Sequence, residues 1–430
     1  MKRRIILLSL LVILSVAMLC LSSCIPDEIQ FELNADGESY YVSNIRSGVK
    51  VAEIPSEHEG KPVTAIGERA GEHAHNSLRE LVIPEGVTII KDSAFRGCRA
   101  LEKITLPSSL KTIEECAFDY TPDNTTKIHI ADVDSYLAGE YLSQPKGEFY
   151  LNDELITTLE VSGEPKSFFG SKQITEVVIK SSVKEIPDRA FSCFYALKKV
   201  TFEKGLEKIG YGAFEACTSL EEISLPEGFK SIGGMAFYDC TGLKKITLPA
   251  SLTEVSYNAF DNVGYDVYTQ TGENLQIHIS DVNAWCSVGF SGHPYFYDLY
   301  LNGTLVTELI ISGVEEIGWS AFESCYSIKK ITIGAGVKRI DHCAFYDCNA
   351  LESVTIGKDV VSLQASAFDE CEKLEKIIFE NSSAGWRFSD GGRDGKFSLG
   401  TPEKNAYYIK TGDLPNIRFQ SPSFEIYRKD

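Results

Sequence analysis

The chain has 430 residues, of which 43% are hydrophobic and 24% charged, a composition that excludes a disordered polyelectrolyte and allows one large domain or several small ones. The net charge of −19 repels nucleic-acid phosphates and anionic headgroups, so no nucleic-acid partner is expected.

The first segment is a different material from the rest. Lys2, Arg3 and Arg4 precede an apolar run from Ile5 to Leu21, which ends in Leu21-Ser22-Ser23-Cys24. Small residues before a cysteine, directly after an apolar run, resemble the lipobox of bacterial lipoproteins. That resemblance implies cleavage of a signal peptide, residues 1–23, and acylation of the Cys24 sulfur. The acyl chain then replaces a spanning helix as anchor. An uncleaved anchor or an ordinary secretory signal is the plainer alternative. Cleavage would remove three basic and no acidic residues, taking the charge from −19 to −22. No later apolar run approaches the length of a membrane span, so the rest of the chain is expected outside the cytoplasm, in the cell envelope.

Residues 24–30 read as a short tether. Residues 31–62 read as an N-terminal β-hairpin cap, because Phe31 to Val42 is strand-like around a turn at Asn34 to Gly37.

From residue 63 to about 380 the sequence repeats. Ala-Phe pairs stand at Ala94, Ala117, Ala190, Ala213, Ala236, Ala259, Ala321, Ala344 and Ala367, and within each cluster the spacing is 23 residues. Cysteines follow four residues after many of these alanines, at 98, 217, 240, 325, 348 and 371. Each unit then enters a run such as LEEISLP (220–226) or LKKITLP (243–249). Such a unit cannot bury its apolar side alone, so neighbours must stack. The alternating runs predict short parallel strands about 4.8 Å apart. The Ala-Phe-x-x-Cys piece predicts a short helical or 3₁₀ turn. Residues 63–84 form a degenerate first coil, with Gly71 where Phe would stand.

The pattern I-G-x-x-A-F-x-x-C-x-x-L-x-x-I-x-L-P resembles the BspA-type leucine-rich-repeat family of bacterial surface proteins. The fold expected from it is a β/α solenoid, a right-handed leucine-rich-repeat superhelix of 23-residue coils with short parallel strands and short helical turns. The family implies adhesion to host proteins or to other cells.

Two intervals, about 119–155 and 261–305, break the spacing and resemble each other. KIHIADV (127–133) matches QIHISDV (276–282), and Tyr150-Leu151-Asn152-Asp153 matches Tyr300-Leu301-Asn302-Gly303. Asn-Asp and Asn-Gly between apolar runs signal tight hairpins. Both inserts therefore read as modified, hairpin-bearing coils of the same stack. Residues 381–430 read as a C-terminal cap.

The one-per-coil cysteines read as buried thiols, because parallel side chains suit a disulfide poorly; the others stay open. No GxSxG, P-loop, HExxH or zinc spacing is present, so neither catalysis nor a metal nor a cofactor is expected. His129 and His278 occupy equivalent insert positions and read as structural. Outward Lys199, Glu222 and Lys245 on successive coils should attract across the sheet. Aromatic residues concentrate in the inserts, and Trp285, Tyr295, Tyr297 and Trp386 are the candidate binding residues. Trp285 is expected to be largely buried, and Tyr295 or Tyr297 at least partly open. The function read from this is a lipid-anchored surface protein that binds a protein partner on a host or neighbouring cell. The alternative is an accessory glycan-binding lipoprotein. Weaker still is an enzyme with histidine and carboxylates converging near Asp132 or Asp281.

Overall fold

The computed structural model describes residues 28–396, except 123–124, 142–144, 146, 164–172, 267–270, 273, 292–295, 365, 381–385 and 391–392, together with positions 402, 404–405, 409, 413–414, 417–418 and 425–428. Cys24 and the residues before it lie outside the described residues, as does Tyr295. The chain divides into two compact units, Met1–Asp132 with Glu140–Glu154, and Val133–Gly139 with Leu155–Asp430.

Within each unit the coils stack as a parallel β-solenoid. In the first, the strands Val51–Glu53, Glu80–Val82, Lys103–Leu106, Thr126–Ile130 and Gly147–Leu151 form one ladder. In the second, an equivalent ladder runs Thr158–Val161, Glu176–Ile179, Lys199–Phe202, Glu222–Ser224, Lys245–Thr247, Leu275–Ile279 and Tyr297–Leu301. A further ladder holds Glu308–Ile311, Lys330–Ile333, Ser353–Ile356 and Lys376–Phe379. The hairpin Ile29–Leu33/Tyr40–Ile45 opens the first unit, with Gly37 donating to the Asn34 carbonyl at 2.9 Å. A separate parallel run in the second unit, Glu316–Ile317, Arg339–Ile340 and Ser362–Gln364, ends where Glu425–Arg428 pairs antiparallel with Ser362–Gln364.

The interior follows the sequence pattern. Phe214, Phe237 and Phe260 stack as one column, with ring centroids 5.5 and 5.7 Å apart and planes within 2°. Phe322, Phe345 and Phe368 continue the same geometry at 5.3 and 5.2 Å. Each repeat alanine is sealed from solvent. Gly71 takes the place of Phe in the first coil because the Phe95 ring already fills it: an added Cβ would meet that ring at 2.9 Å.

The repeat cysteines are free and buried. Cys217, Cys240, Cys348 and Cys371 each donate Sγ–H to the phenylalanine carbonyl one coil back, at 3.1–3.2 Å. Stacking thus gives each thiol an acceptor instead of a partner sulfur.

The turns correct the helical expectation. Among the described residues the Ala-Phe-x-x-Cys segments contain no helix. The residue before each repeat alanine is left-handed, as at Ser93, Arg189, Met235 and Ser320, and so is the residue before each ladder cysteine position, as at Gly97, Ala216 and Asp347. Left-handed residues at this spacing break a helix and cost about 1–2 kcal/mol each outside glycine. The offset is in the hydrogen bonds. Ala94, Arg96 and Cys98 donate back three residues, while Ser93, Phe95 and Gly97 donate to Glu115, Ala117 and Asp119 of the next coil at 2.7–3.0 Å. A helix would turn all its donors inward and leave adjacent coils unlinked. The architecture is therefore a parallel β-solenoid with β-turn corners at these repeats, and helix among the described strands and turns is confined to short pieces such as the 3₁₀ turn Glu72–Ala74 and the helices Val133–Leu137 and Val282–Trp285.

Candidate binding face

The segments between the regular clusters add strands to the same sheets. Thr126–Ile130 pairs in register with Lys103–Leu106 and with Gly147–Leu151. Leu275–Ile279 does the same between Lys245–Thr247 and Tyr297–Leu301. Register then fixes which side chains meet on the solvent face, since alternate residues point the same way. In the first unit that row is Thr105, His129, Tyr150; in the second it is Thr247, His278, Tyr300. His129 stacks on Tyr150 at 5.1 Å and His278 on Tyr300 at 4.5 Å, both within 12° of parallel. The histidines are thus part of a duplicated surface feature, which the sequence placed in equivalent positions without showing their tyrosine partners.

Burial and Lys245 hold the His278 imidazole below its ordinary pKa. Burial and Lys103 do the same for His129, against an opposing pull from Asp153. Both rings are therefore neutral near pH 7, and each offers one donor and one acceptor.

Both modules end in the tight hairpin that the sequence signals. Asn152 and Asp153 are left-handed, and so are Asn302 and Gly303, as a type I′ turn requires. The two turns differ in one respect. Asp153 Oδ1 lies 3.2 Å from His129 Nδ1, whereas Gly303 has no side chain to reach His278. A cleft of about 240 Å3 lies beside His278, lined by Lys245, Thr247, Pro249, Ser280 and Asn302 among others.

Of the residues singled out from sequence, Trp285 is 3% exposed, as expected, and this removes it from the ligand-contacting set. Its role is structural. In the regular coils each phenylalanine N–H donates to the alanine carbonyl of the next coil, as Phe237 does to Ala259 at 2.9 Å. Here the Trp285 indole Nε1–H supplies that bond to Ala321 at 2.7 Å. Tyr297 is fully buried, which corrects its candidacy: it sits at the ladder position that points into the core, between Leu275 and the bridged Cys325. Trp386 lies on a strand paired with Glu425–Arg428, and its side chain lies outside the described residues, as does Tyr295.

Sequence reasoning missed the tryptophan that is open. Trp319, two residues before Ala321, is 56% exposed. Tyr257 and Tyr211 hold the same place in their coils, and their rings approach to 6.4 Å across Gly234, where a side chain would meet the Tyr257 ring at 3.1 Å. The available signal was the position two before each alanine, which the turn presents to solvent. Also open is a row set by register, Ile310, Thr332, Thr355 and Ile378, whose isoleucines are 69% and 43% exposed.

Asp281 is committed locally. It caps the helix Val282–Trp285 and accepts from the Asn283 and Ala284 amides. His73 pairs with Asn44, and His75 donates Nδ1–H to the Glu72 carbonyl. Among the described residues no cluster of three or more His, Cys, Asp or Glu side chains is placed to hold a metal. Asp390 and Asp394 belong to an antiparallel hairpin, Trp386–Asp390 with Arg393–Lys396. No helix among the described residues is long and apolar enough to cross a membrane.

Repeating parallel coils with a phenylalanine column define a leucine-rich-repeat β-solenoid. The BspA type leucine rich repeat model matches six copies over residues 64–143, 162–271 and 298–386, and the chain belongs to that family. No curated protein matches the sequence. Among solved structures, a leucine-rich repeat protein from Bacteroides ovatus is 21% identical, covering 82% of this chain and 93% of that one with a TM-score of 0.43. A leucine rich cell surface protein from Faecalibacterium prausnitzii is 22% identical, with coverages of 83% and 94% and a TM-score of 0.36. The pneumococcal vaccine antigen PcpA is 17% identical, with coverages of 82% and 92% and a TM-score of 0.31.

Proposed function

We propose that this is an exported, lipid-anchored surface protein that binds a protein partner through the outer face of its strand ladders. The observation that carries the binding reading is the registered row Ile310–Thr332–Thr355–Ile378. Ile310 is 69% and Ile378 43% exposed on a sheet face whose other outward positions are mostly polar. Exposed aliphatic side chains aligned on a rigid face suit a protein contact better than a catalytic centre. Membership in the family supports a surface role, and the lipobox-like Leu21-Ser22-Ser23-Cys24 supports the anchor. Binding, not catalysis, is the activity proposed.

The test uses the full chain against a panel of immobilised host matrix proteins. Ile310→Asp with Ile378→Asp is expected to lower binding at least tenfold with an unchanged melting temperature. Wild-type protein that binds no member, or a double variant that binds equally, would contradict the reading. Trp285→Ala is unsuitable as a binding control, since the indole is buried. Separately, Cys24→Ser is expected to move the protein from the membrane fraction to the soluble one. Retention in the membrane would instead indicate an uncleaved anchor.

A further inference from the structure

We infer that the cleft beside His278 binds a single neutral sugar ring, and that Gly303 is what keeps it open. This site is formed by strands other than those carrying Ile310 and Ile378, and it stands apart from the protein-contact reading.

The His278 ring is held in place by Tyr300, stacked on it at 4.5 Å and 11°. Thr247 is its neighbour on the other side in the strand register, and both line the cleft. A ligand over Thr247 therefore meets a flat, oriented imidazole at one end. Leu248 and Pro249, both buried, form the apolar floor of the cleft. Around them stand the hydroxyls of Thr247 and Ser280 and the amide of Asn302, which supply both donors and acceptors. One cation, Lys245, and one anion, Glu227, line the site, so their charges offset and no ion is selected. A small apolar patch ringed by mixed hydrogen-bonding groups matches a pyranose, which has C–H faces and a girdle of hydroxyls. The volume, about 240 Å3, is below the roughly 300–1,000 Å3 of drug-sized sites and suits one ring.

The first unit holds the contrasting copy. There the Asp153 carboxylate reaches the imidazole at 3.2 Å. At Gly303 an added Cβ meets nothing within 4 Å, and among the described residues no carboxylate pairs with His278. The turn residue thus decides whether the Nδ1 edge of the imidazole is paired with a carboxylate or faces a ligand, while the Nε2 edge of His278 lies 3.5 Å from Gln276 Oε1. The substitution Gly303→Asp is compatible with the backbone, because Asp153 already adopts φ 62° in the equivalent turn, close to the 80° of Gly303.

The full chain would be titrated with the methyl glycosides of glucose, galactose, mannose and N-acetylglucosamine. The imidazole NMR signals of His278 and His129, assigned with His278→Gln and His129→Gln, are the readout. At least one glycoside is expected to shift His278 saturably and leave His129 unmoved. G303D should weaken that binding at least tenfold with an unchanged melting temperature, and D153G should make His129 respond. If no glycoside shifts His278 at tens of millimolar, or if G303D binds as wild type does, the proposal is overturned. A His129 that stays silent in D153G would remove the gating role of the turn residue. A G303D variant that loses a protein partner while wild type binds no glycoside would assign the cleft to protein recognition instead.

Discussion

At the scale of single residues, the most informative one is Trp285. Its size marks it from sequence as an aromatic anchor, yet it acts as a hydrogen-bond donor inside the wall. Where an irregular coil interrupts the stack, the next alanine carbonyl loses its usual phenylalanine amide, and the indole N–H replaces it at 2.7 Å. Trp285→Phe keeps most of the apolar volume and removes only the donor. The expected loss is about 1–3 kcal/mol, the penalty of a buried acceptor left unsatisfied, read by denaturant unfolding. A change under about 0.5 kcal/mol, the range of neutral surface substitutions, would mean that the bond contributes nothing. Ala216 and Met235 teach a complementary lesson. Neither residue type suggests a left-handed backbone, yet both adopt one, because the next coil offers an acceptor only to that conformation.

Within the repeated element, the thiol column and the charge column behave differently. The ion pairs run from coil to coil, as in Lys199–Glu176 at 2.6 Å, Lys230–Glu207 at 2.7 Å and Lys338–Glu315 at 2.7 Å. All are solvent-exposed and so contribute little individually; they fix register. The column thiols are buried, and burial pushes Cys98 of the column, and Cys286 of the second insert, up to about 12 from an ordinary value near 9.0. Unfolded thiols ionise near 9 while native ones keep their protons. The stabilisation they contribute is therefore complete below pH 9 and is lost as pH rises toward 12. The melting temperature is expected to fall with a steepening slope above pH 9, and Cys98→Ala with Cys286→Ala should flatten that slope. An alkaline profile unaffected by the double variant would show that these thiols titrate no differently when folded.

For the molecule as a whole, a strict 23-residue period means that coils are removable only as whole units. Deleting residues 213–235 joins left-handed Gly212 to Ala236 and restores the pattern one coil shorter. Deleting 213–234 leaves one surplus residue in the turn, which shifts registered donors such as Phe237 N–H away from the Ala259 carbonyl. The first variant is expected to melt cooperatively, and the second at a clearly lower temperature or over a broadened transition. Calorimetry that finds the two indistinguishable would argue against a registered stack.

The sequence by itself determined the period, the phenylalanine column, the buried cysteines and the alternating charges, because each recurs once per coil and stacking converts recurrence into contact. It also determined the two hairpin turns, whose Asn-Asp and Asn-Gly pairs suit left-handed backbone locally. The family, too, was legible in the motif. Only the tertiary structure decided that the corners are β-turns, that Tyr297 points inward while Trp319 points out, and that His278 borders an open cleft where His129 is paired. Each of those depends on what a residue 20 or more positions away offers, a carbonyl, a ring or an empty place, and side chains of identical type become buried or exposed according to register rather than composition.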